Sequence, residues 1–432
     1  MIHKLIYQAG MRVRNPSLTS QLEALLESEH WSYHQLKNLQ LKRLQELLIF
    51  AEANSPFYTA LFNKYRFNPR ELRSVEDLKQ LPIIDKSTLI IHNKDIQSRA
   101  SFKKLRLSET SGTTGQPLAI YRSEEWDSGH RAAMFRGYHW YNVNPWDRNG
   151  YFWGYNIDPK EAKKIKFLDS LQNRFRLFSY SEEEIEKFCN KLKKATFLSG
   201  YSSMIYEVAK KISSMGLSQQ FPHLKMIKGT SEKIFPSYQE EVQKAFGLKM
   251  ISEYGSMESG IIAYECPEGG NMHIAMENVV VEVENGEKIV TNLLSHSFPI
   301  IRYKLGDAVV LAPENHKCPC GRHHPIILDI QGRVGKPVIG KLNSYPSLTF
   351  YYVFKNITLK TGMIANYQAI QNEKGKVLLR IEQSHNEILD RLIKEQLNAY
   401  FKNDIVFEIK YGEKLHAMNG KLKDFIQNIE SI

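Results

Sequence analysis

The stretch that decides the fold is Ser111-Gly112-Thr113-Thr114-Gly115-Gln116-Pro117, a loop of small and hydroxylated residues. The segments on either side, 103–108 and 118–123, are predicted to be strands. Glycines let a backbone approach a ligand closely, and the three hydroxyls add donors that an anion can use. The loop therefore favours polyphosphate binding, although a polar hairpin tip has a similar composition. It is not the usual P-loop, because no Gly-Lys-Ser/Thr ends it and no helix is expected to follow it.

The composition is that of an ordinary soluble globular protein, with 432 residues, 42% apolar and 24% charged. The longest apolar runs are too short to span a bilayer and no signal peptide is evident, so we expect a cytoplasmic protein without stable membrane insertion. The net charge of +11 is spread along the chain among acidic residues, which favours an anionic substrate such as ATP over nucleic acid. The pattern leaves the oligomeric state open between monomer and homodimer.

The order of predicted elements indicates an α/β protein of more than one domain. Residues 1–100 form a helical lead-in, with one helix from Tyr33 to about Asn54. Strands and helices then alternate through residue 253, which is typical of parallel βαβ units. After residue 272, Asn285-Gly286 predicts a hairpin, with antiparallel strands through residue 312. We expect a large N-terminal domain of residues 1–332 and a small α+β C-terminal domain of residues 333–432.

Four further segments carry polar groups where a ligand would bind. They are Gly229-Thr230-Ser231-Glu232, Glu253-Tyr254-Gly255-Ser256-Met257-Glu258, Arg302-Tyr303-Lys304-Leu305-Gly306-Asp307 and Gly332-Arg333. The first two follow predicted parallel strands, at whose carboxyl ends open α/β sheets bind ligands. Each segment alone has the composition of an ordinary turn, but their order along the chain is informative.

In this order the five motifs resemble those of the adenylate-forming superfamily, which comprises acyl-CoA synthetases, peptide-synthetase adenylation domains and luciferases. The chain is most similar to the phenylacetate-CoA ligase branch, which includes the CapK proteins of capsular polysaccharide biosynthesis. Segments 31–58 and 81–82 also resemble this branch, so the likeness covers nearly the whole chain. It implies the adenylate-forming fold, with the C-terminal domain acting as a mobile lid.

The resemblance implies an AMP-forming ligase that uses ATP and Mg²⁺ to activate a carboxylic acid. Glu258 would hold Mg²⁺, Tyr254 would stack on adenine and Asp307 would bind the ribose. Lys421, which follows Asn419-Gly420, would bridge the substrate carboxylate and the phosphate. The implied nucleotide-binding residues are Ser111, Gly112, Thr113, Thr114, Gly115, Gly229, Thr230, Ser231, Glu232, Glu253, Tyr254, Gly255, Ser256, Asp307, Arg333 and Lys421, with Thr113, Glu258 and Lys421 as the catalytic set.

The chain departs from the family pattern at three places. Met257 replaces a threonine beside the magnesium residue, and Gly335 with Lys336 stands where the hinge often has an aspartate. The segment 340–346 is unlike the motif that CoA ligases place beside the pantetheine tunnel. The acceptor of the acyl group therefore stays open between CoA and an amine or hydroxyl.

The cysteines suggest a metal site. Cys266, His273, Cys318 and Cys320 provide three thiols and an imidazole, the soft ligands that zinc takes in closed tetrahedral sites. The alternative is unligated thiols in a reduced protein, since four cysteines in a chain of this length do not make a disulfide framework.

The sequence thus predicts an ATP-dependent carboxylate-activating ligase, with a role in polysaccharide or capsule biosynthesis as one setting. Two other functions remain open. One is a kinase-like ATPase that binds ATP with the same loop but has no carboxylic acid substrate. The other is a scaffold of a polysaccharide-assembly pathway with a degenerate ATP fold. The pocket for the acid is expected to involve Trp153, Tyr155, Tyr201 and residues 260–263.

Overall fold

A computed structural model describes most of the chain. The described residues are 2–109, 118–152, 159–177, 181–231, 234, 236–284, 287–331, 337–345, 347, 349–363, 365, 367–413, 415, 417–418, 421–422 and 425–429. The loop Ser111–Pro117, Glu232, the hairpin turn Asn285-Gly286 and the hinge Gly332–Lys336 lie outside them, as do Trp153, Tyr155 and Asn419-Gly420.

The first hundred residues are helical, as predicted. The helices are α1 (Ile2–Arg14), α2 (Leu18–Ser28), α3 (Tyr33–Asn54), α4 (Pro56–Tyr65), α5 (Lys86–Ile91) and α6 (Asn93–Ile96). Ser32 starts α3 through a capping box with Gln35, which satisfies two backbone donors of the first turn. Leu36, Leu44, Leu47 and Leu48 of α3 are buried in the largest core, so the leucine spacing seen in the sequence is the spacing of the packed face.

The predicted strands around the Ser111–Pro117 loop are present. They are β1 (Leu105–Glu109) and β2 (Ala119–Ser123), which pair antiparallel as a two-stranded sheet. Helix α7 (Glu124–Trp140) begins directly after β2, where the Ser123 hydroxyl accepts a hydrogen bond from the Trp126 amide. We did not predict α7, because its buried face mixes small, aromatic and charged residues and gives no clean apolar period.

The central sheet has eleven strands, and its first half contains the predicted parallel units. In chain order these are β3 (Asn149–Phe152), α8 (Pro159–Leu171), β4 (Arg174–Arg176), α9 (Glu182–Leu192), β5 (Phe197–Tyr201), α10 (Ser202–Ser214), β6 (Met226–Thr230), α11 (Pro236–Phe246) and β7 (Met250–Ser256). The strands β4-β3-β5-β6-β7 are all parallel. Their carboxyl ends therefore lie at one edge of the sheet.

The second half of this sheet is antiparallel. It contains β8 (Gly260–Glu265), β9 (Met272–Ile274), β10 (Val279–Glu284), β11 (Glu287–Asn292), β12 (Ile300–Leu311) and β13 (Ile326–Gln331). The strands β10 and β11 pair over the residues that the hairpin signal predicted. Antiparallel pairing begins at β8, which pairs with β7, and so starts earlier than the change at residue 272 that the sequence suggested.

The C-terminal residues form further sheets around their own core. The elements are β14 (Val338–Ile339), β15 (Ser344–Tyr345), α12 (Thr349–Thr361), β16 (Tyr367–Glu373), β17 (Lys376–Ile381), α13 (Glu387–Phe401), β18 (Val406–Tyr411), β19 (Ala417–Met418), β20 (Lys421–Leu422) and β21 (Phe425–Gln427). The strands β16 and β17 form a hairpin, α13 follows it, and β18 returns to pair parallel with β17, which agrees with the α+β character predicted for this region. Helix α12 was not predicted.

Among the described helices, none is both long enough and apolar enough to cross a membrane.

Candidate active site

Two of the predicted segments meet at the carboxyl edge of the parallel strands. Thr230, at the end of β6, lies opposite Glu253 of β7 in the strand register. Ser231 follows with φ of 67°, a left-handed conformation that turns the chain at the end of the strand. Gly255 must lack a side chain, because a Cβ there would collide with the carbonyl of Gly260 on β8. The sequence therefore places a polar turn beside a tightly paired strand at this edge.

A closed cluster of three polar side chains joins β7, β11 and β12. The Tyr254 hydroxyl donates to the Asp307 carboxylate at 2.8 Å and accepts a hydrogen bond from the Lys288 ammonium. Lys288 also lies 3.5 Å from the Asp307 carboxylate, and its side chain is 0% exposed against 12% for Asp307. A lysine loses its hydration when it is buried to this degree, so its pairing with Asp307 is what makes the position tolerable.

The predicted magnesium residue, Glu258, contacts the same two strands, β11 and β12. Glu258 is buried, and one of its carboxylate oxygens accepts a hydrogen bond from the Tyr303 hydroxyl at 3.3 Å. The Asn292 amide donates to its backbone carbonyl at 2.8 Å, which ties the turn after β7 to β11. Ser256 and Ser259 hydroxyls hydrogen-bond each other at 2.8 Å across the same turn. Glu258 is thus held by contacts with β11 and β12, the strands that carry Lys288 and Asp307.

Glu253 does not project freely into a ligand site. Its carboxylate pairs with the ammonium of Lys228 at 2.6 Å, and both residues are buried. Burial alone would lower the pKa of Lys228, but Glu253 and Tyr138 outweigh it and raise the pKa above its ordinary value. Lys228 therefore keeps its charge, and we assign Glu253, its partner, to holding β6 and β7 together beneath the edge.

His130 of α7 approaches the same region from the helix side. Its Nδ1 is buried, has no hydrogen-bond partner among the described residues, and would lie 2.9 Å from a Cβ built on Gly260. Burial, with the positive charges of Arg122 and Arg131, lowers the pKa of His130 to about 3. The ring is therefore neutral at physiological pH. No spacing pattern in the sequence pointed to this histidine.

The remaining predicted residues are placed as follows. Residues 260–263 are buried in β8, and Tyr201 is buried with its hydroxyl 2.8 Å from that of Tyr352 in α12. Lys421 lies in β20, where its backbone pairs with Met418, and only its backbone is described. Ser111–Gly115, Glu232 and Arg333 are among the residues that the structure does not describe.

The four predicted metal ligands come together. The ligand atoms of Cys266, His273, Cys318 and Cys320 all lie within 4.8 Å of one another. The Cys266 and Cys318 sulfurs are 3.4 Å apart, and the Cys320 sulfur is 3.2 Å from Nε2 of His273. Ligands of tetrahedral zinc at Zn–S of about 2.3 Å are separated by about 3.8 Å, so the four atoms are spaced as such a site requires.

Neighbouring residues orient these ligands. Nδ1 of His273 lies 3.4 Å from the carbonyl of His324, a contact that directs Nε2 toward the thiols. Gly269 permits the turn after β8 to approach the loop between β12 and β13, because a Cβ at this position would lie 2.7 Å from the Cys318 sulfur. His324 in turn contacts Glu277 at 2.9 Å, and Glu277 pairs with Arg136 in the core. The cluster is therefore anchored to α7.

No protein-family model matches the chain. Comparison with individual proteins does find relatives. The chain is 24% identical over 421 residues to protein CapK of Staphylococcus aureus, covering 91% of this chain and 90% of that protein. It is 23% identical over 413 residues to a phenylacetate-coenzyme A ligase of Thermus thermophilus, covering 92% and 90%.

Among solved structures, 2-hydroxyisobutyryl-CoA ligase in complex with 2-HIB-AMP and CoA superimposes with a TM-score of 0.65. The identity is 19%, and the match covers 93% of this chain and 91% of the ligase. The fold is that of the adenylate-forming CoA ligases. These comparisons confirm the resemblance, the fold class and the ligase-like type of enzyme that the motifs predict.

Sequence reasoning missed Lys288, His130 and Lys228, which all lie near the predicted site. Lys288 stands in an alternating strand, where a lysine normally indicates the solvent face. Its burial depends on Asp307, which is distant in sequence and becomes a neighbour through the pairing of β11 with β12. No local pattern carries that information.

Proposed function

We propose that this protein is an ATP-dependent ligase that activates a carboxylic acid as its acyl-adenylate and then transfers the acyl group. The observation that carries the proposal is the hydrogen bond from Tyr254, on the parallel strand β7, to Asp307 of β12, with Glu258 following β7 and bonded to Tyr303 of β12. Tyr254, Glu258 and Asp307 come from two separate motifs and have the chemistry of a nucleotide site. The name of one relative, a phenylacetate-coenzyme A ligase, points to the same type of reaction.

In the first half-reaction a carboxylate oxygen of the acid attacks the α-phosphorus of ATP, and the bond to the pyrophosphate oxygen breaks. The charge that develops on the pyrophosphate must be neutralised, a role that suits the amides and hydroxyls of Ser111–Gly115. Lys421 supplies a cation between the carboxylate and the phosphate, which repel each other. In the second half-reaction the acceptor attacks the acyl carbon and AMP leaves.

Tyr254 and Asp307 fit a nucleoside. The tyrosine ring offers a face for the adenine, and the carboxylate has the acceptors that two ribose hydroxyls need. Lys288 balances the Asp307 charge and fixes the tyrosine hydroxyl, so the two ligand-binding groups are held in place before a nucleotide binds. We therefore add Lys288 to the site as a positioning residue.

Glu258 fits the magnesium that accompanies ATP, because its carboxylate is a hard oxygen ligand and Tyr303 holds it in place. When bound, the ion would neutralise phosphate charge.

The 2-hydroxyisobutyryl-CoA ligase complex contains CoA, so we propose CoA as the first acceptor to test, with an amine or hydroxyl as the second. The likeness to CapK favours a substrate from polysaccharide or capsule assembly. We propose residues 333–432 as the lid and the cytoplasm as the location.

Carboxylate-dependent exchange between ATP and radiolabelled pyrophosphate tests this function. A panel of acids is incubated with the purified protein, and we expect exchange with some acids and none without an acid. A kinase-like ATPase would instead release ADP regardless of the acid, and a scaffold would release nothing. Asp307→Asn and Glu258→Gln should lower the exchange rate at least about a hundredfold, whereas the exposed control Lys244→Met should not. Full activity of both site variants would refute the proposed site.

We further propose that Cys266, His273, Cys318 and Cys320 bind one structural zinc ion. The ion would join the turn after β8 to the loop between β12 and β13. Protein purified without chelators should contain about one zinc per chain by elemental analysis, and Cys318→Ser should contain none. Cys189→Ser is the matched control, since Cys189 is a buried free thiol of α9 outside the cluster. Zinc-free wild-type protein would overturn the proposal.

A further inference from the structure

Helix α1 exposes an apolar face that nothing in the described chain covers. Ile2 is 66% exposed, Leu5 60% and Val13 78%, and Ile6 is exposed beside them. At 100° per residue these positions fall within one sector of the helix. The opposite face carries Tyr7 and Met11, which pack against the core that contains Phe135. The helix is therefore attached to the protein by one side and apolar on the other.

Helix α8 extends this surface. Its last turn lies beside the start of α1, where the His3 ring contacts the Leu171 carbonyl at 3.3 Å. One turn earlier, Phe167 is 63% exposed and Leu168 is 45% exposed. Neighbouring large apolar side chains on two adjacent helices are unusual on a monomer surface and mark an interaction site. We call this surface the α1–α8 face.

The exposed charged side chains that the structure describes on α1 and α8 are basic. Residues 2–22 contain no aspartate or glutamate, while Lys4, Arg12 and Arg14 are exposed on α1. On α8, Lys163, Lys164 and Lys166 are exposed, and Asp169 is buried in a 2.5 Å pair with Arg176. An apolar helix face bordered by exposed cations has the composition of helices that lie in the interface of an anionic membrane.

We propose that the α1–α8 face docks the protein on an anionic phospholipid surface. The apolar side chains would enter the boundary between headgroups and acyl chains, and the lysines and arginines would contact lipid phosphates. A second copy of the chain fits less well, because a symmetric dimer through this face would bring the same exposed cations of the described side chains together. The helix lies on the surface and does not cross it. The proposal does not depend on the ligase activity.

Vesicle co-sedimentation tests the docking. Purified full-length protein is mixed with vesicles of phosphatidylcholine alone, or of phosphatidylcholine with phosphatidylglycerol, at low and at high salt. We expect binding to the mixed vesicles only, and weaker binding as salt rises. Lys163→Glu/Lys164→Glu should weaken binding by at least about tenfold, since each basic residue near the surface contributes about a fivefold factor and two are lost. Ile6→Glu should also weaken binding to the mixed vesicles, because it removes an apolar contact between α1 and the lipid.

The matched control is Ile91→Glu, which introduces the same charge at a 75% exposed apolar residue of α5 and should bind like the wild type. Circular dichroism and thermal denaturation of each variant show whether it is folded. Equal binding to both vesicle types would overturn the proposal, and so would unchanged binding of Ile6→Glu. Light scattering could instead show a dimer that Ile6→Glu dissociates, together with no vesicle binding. That result would overturn the membrane proposal and identify the α1–α8 face as a self-association surface.

Discussion

Replacing Lys288 by methionine tests the buried cluster at the nucleotide site. The substitution keeps an unbranched side chain that is one atom shorter and removes its charge, so Asp307 loses its cation while keeping the Tyr254 hydroxyl. Removing one partner of a buried ion pair costs about 3 to 5 kcal/mol of unfolding free energy. Asp307 is still partly exposed, so we expect the lower end, about 3 kcal/mol.

This cost can be converted into a melting temperature. The unfolding entropy is about 2.1 cal/mol/K per residue, or roughly 0.7 kcal/mol/K for the predicted domain of residues 1–332. A loss of about 3 kcal/mol then lowers Tm by about 4 °C. The exposed Lys244→Met of α11 is the control and should change Tm by less than about 1 °C.

A double-mutant cycle with Asp307→Asn measures the interaction energy between Lys288 and Asp307 separately from any general destabilisation that each substitution causes. Because each single variant leaves one unpaired group, the double variant should be less destabilised than the sum of the two, with a coupling of about 2 kcal/mol. Lys288→Met should also raise KM for ATP about tenfold with a smaller change in kcat, because the residue positions groups that bind ATP in both ground and transition states. Additive effects within about 0.5 kcal/mol, or an unchanged KM, would refute the assignment.

Three further predictions concern the lid, the hinge and His130. Lys421→Ala should reduce adenylate formation by at least about a hundredfold while ATP binding, measured by calorimetry, stays nearly unchanged; equal loss of both would make Lys421 structural. Gly335→Pro fixes φ and should retain ATP–pyrophosphate exchange while losing acyl transfer, and transfer at the wild-type rate would exclude a hinge there. Because the folded pKa of His130 is about 3, below that of an unfolded histidine, the unfolded chain takes up the proton first and stability falls as pH drops below about 6.5. His130→Gln should therefore lose less stability than the wild type between pH 7 and 5, by about 1 to 2 kcal/mol in urea unfolding, while exposed His139→Gln should behave like the wild type.

Much of the architecture follows from local sequence. The capping box of Ser32 and Gln35 and the leucines behind it define α3. The alternation of strands with helices of similar length defines the parallel half of the sheet, because a crossover helix is what a parallel pair requires. The spacing of Cys266, His273, Cys318 and Cys320 identified a group that the fold brings together. For the helix and the sheet, the signal lies in residues that are close in sequence. For the four metal ligands, it lies in the small number of thiol and imidazole side chains that can bind zinc.

Only the tertiary structure decided which charged residues are buried. The register of β11 against β12 shifts between Glu287 and Ile289, and this irregularity brings Lys288 to Asp307. A one-residue change in register would turn Lys288 to the other face of the sheet, so its role depends on long-range pairing and not on its neighbours. Glu253 looked equally available for a ligand, but the adjacent strand β6 presents Lys228 to it. A charge is paired or free according to what another strand places beside it, and local sequence does not specify that neighbour.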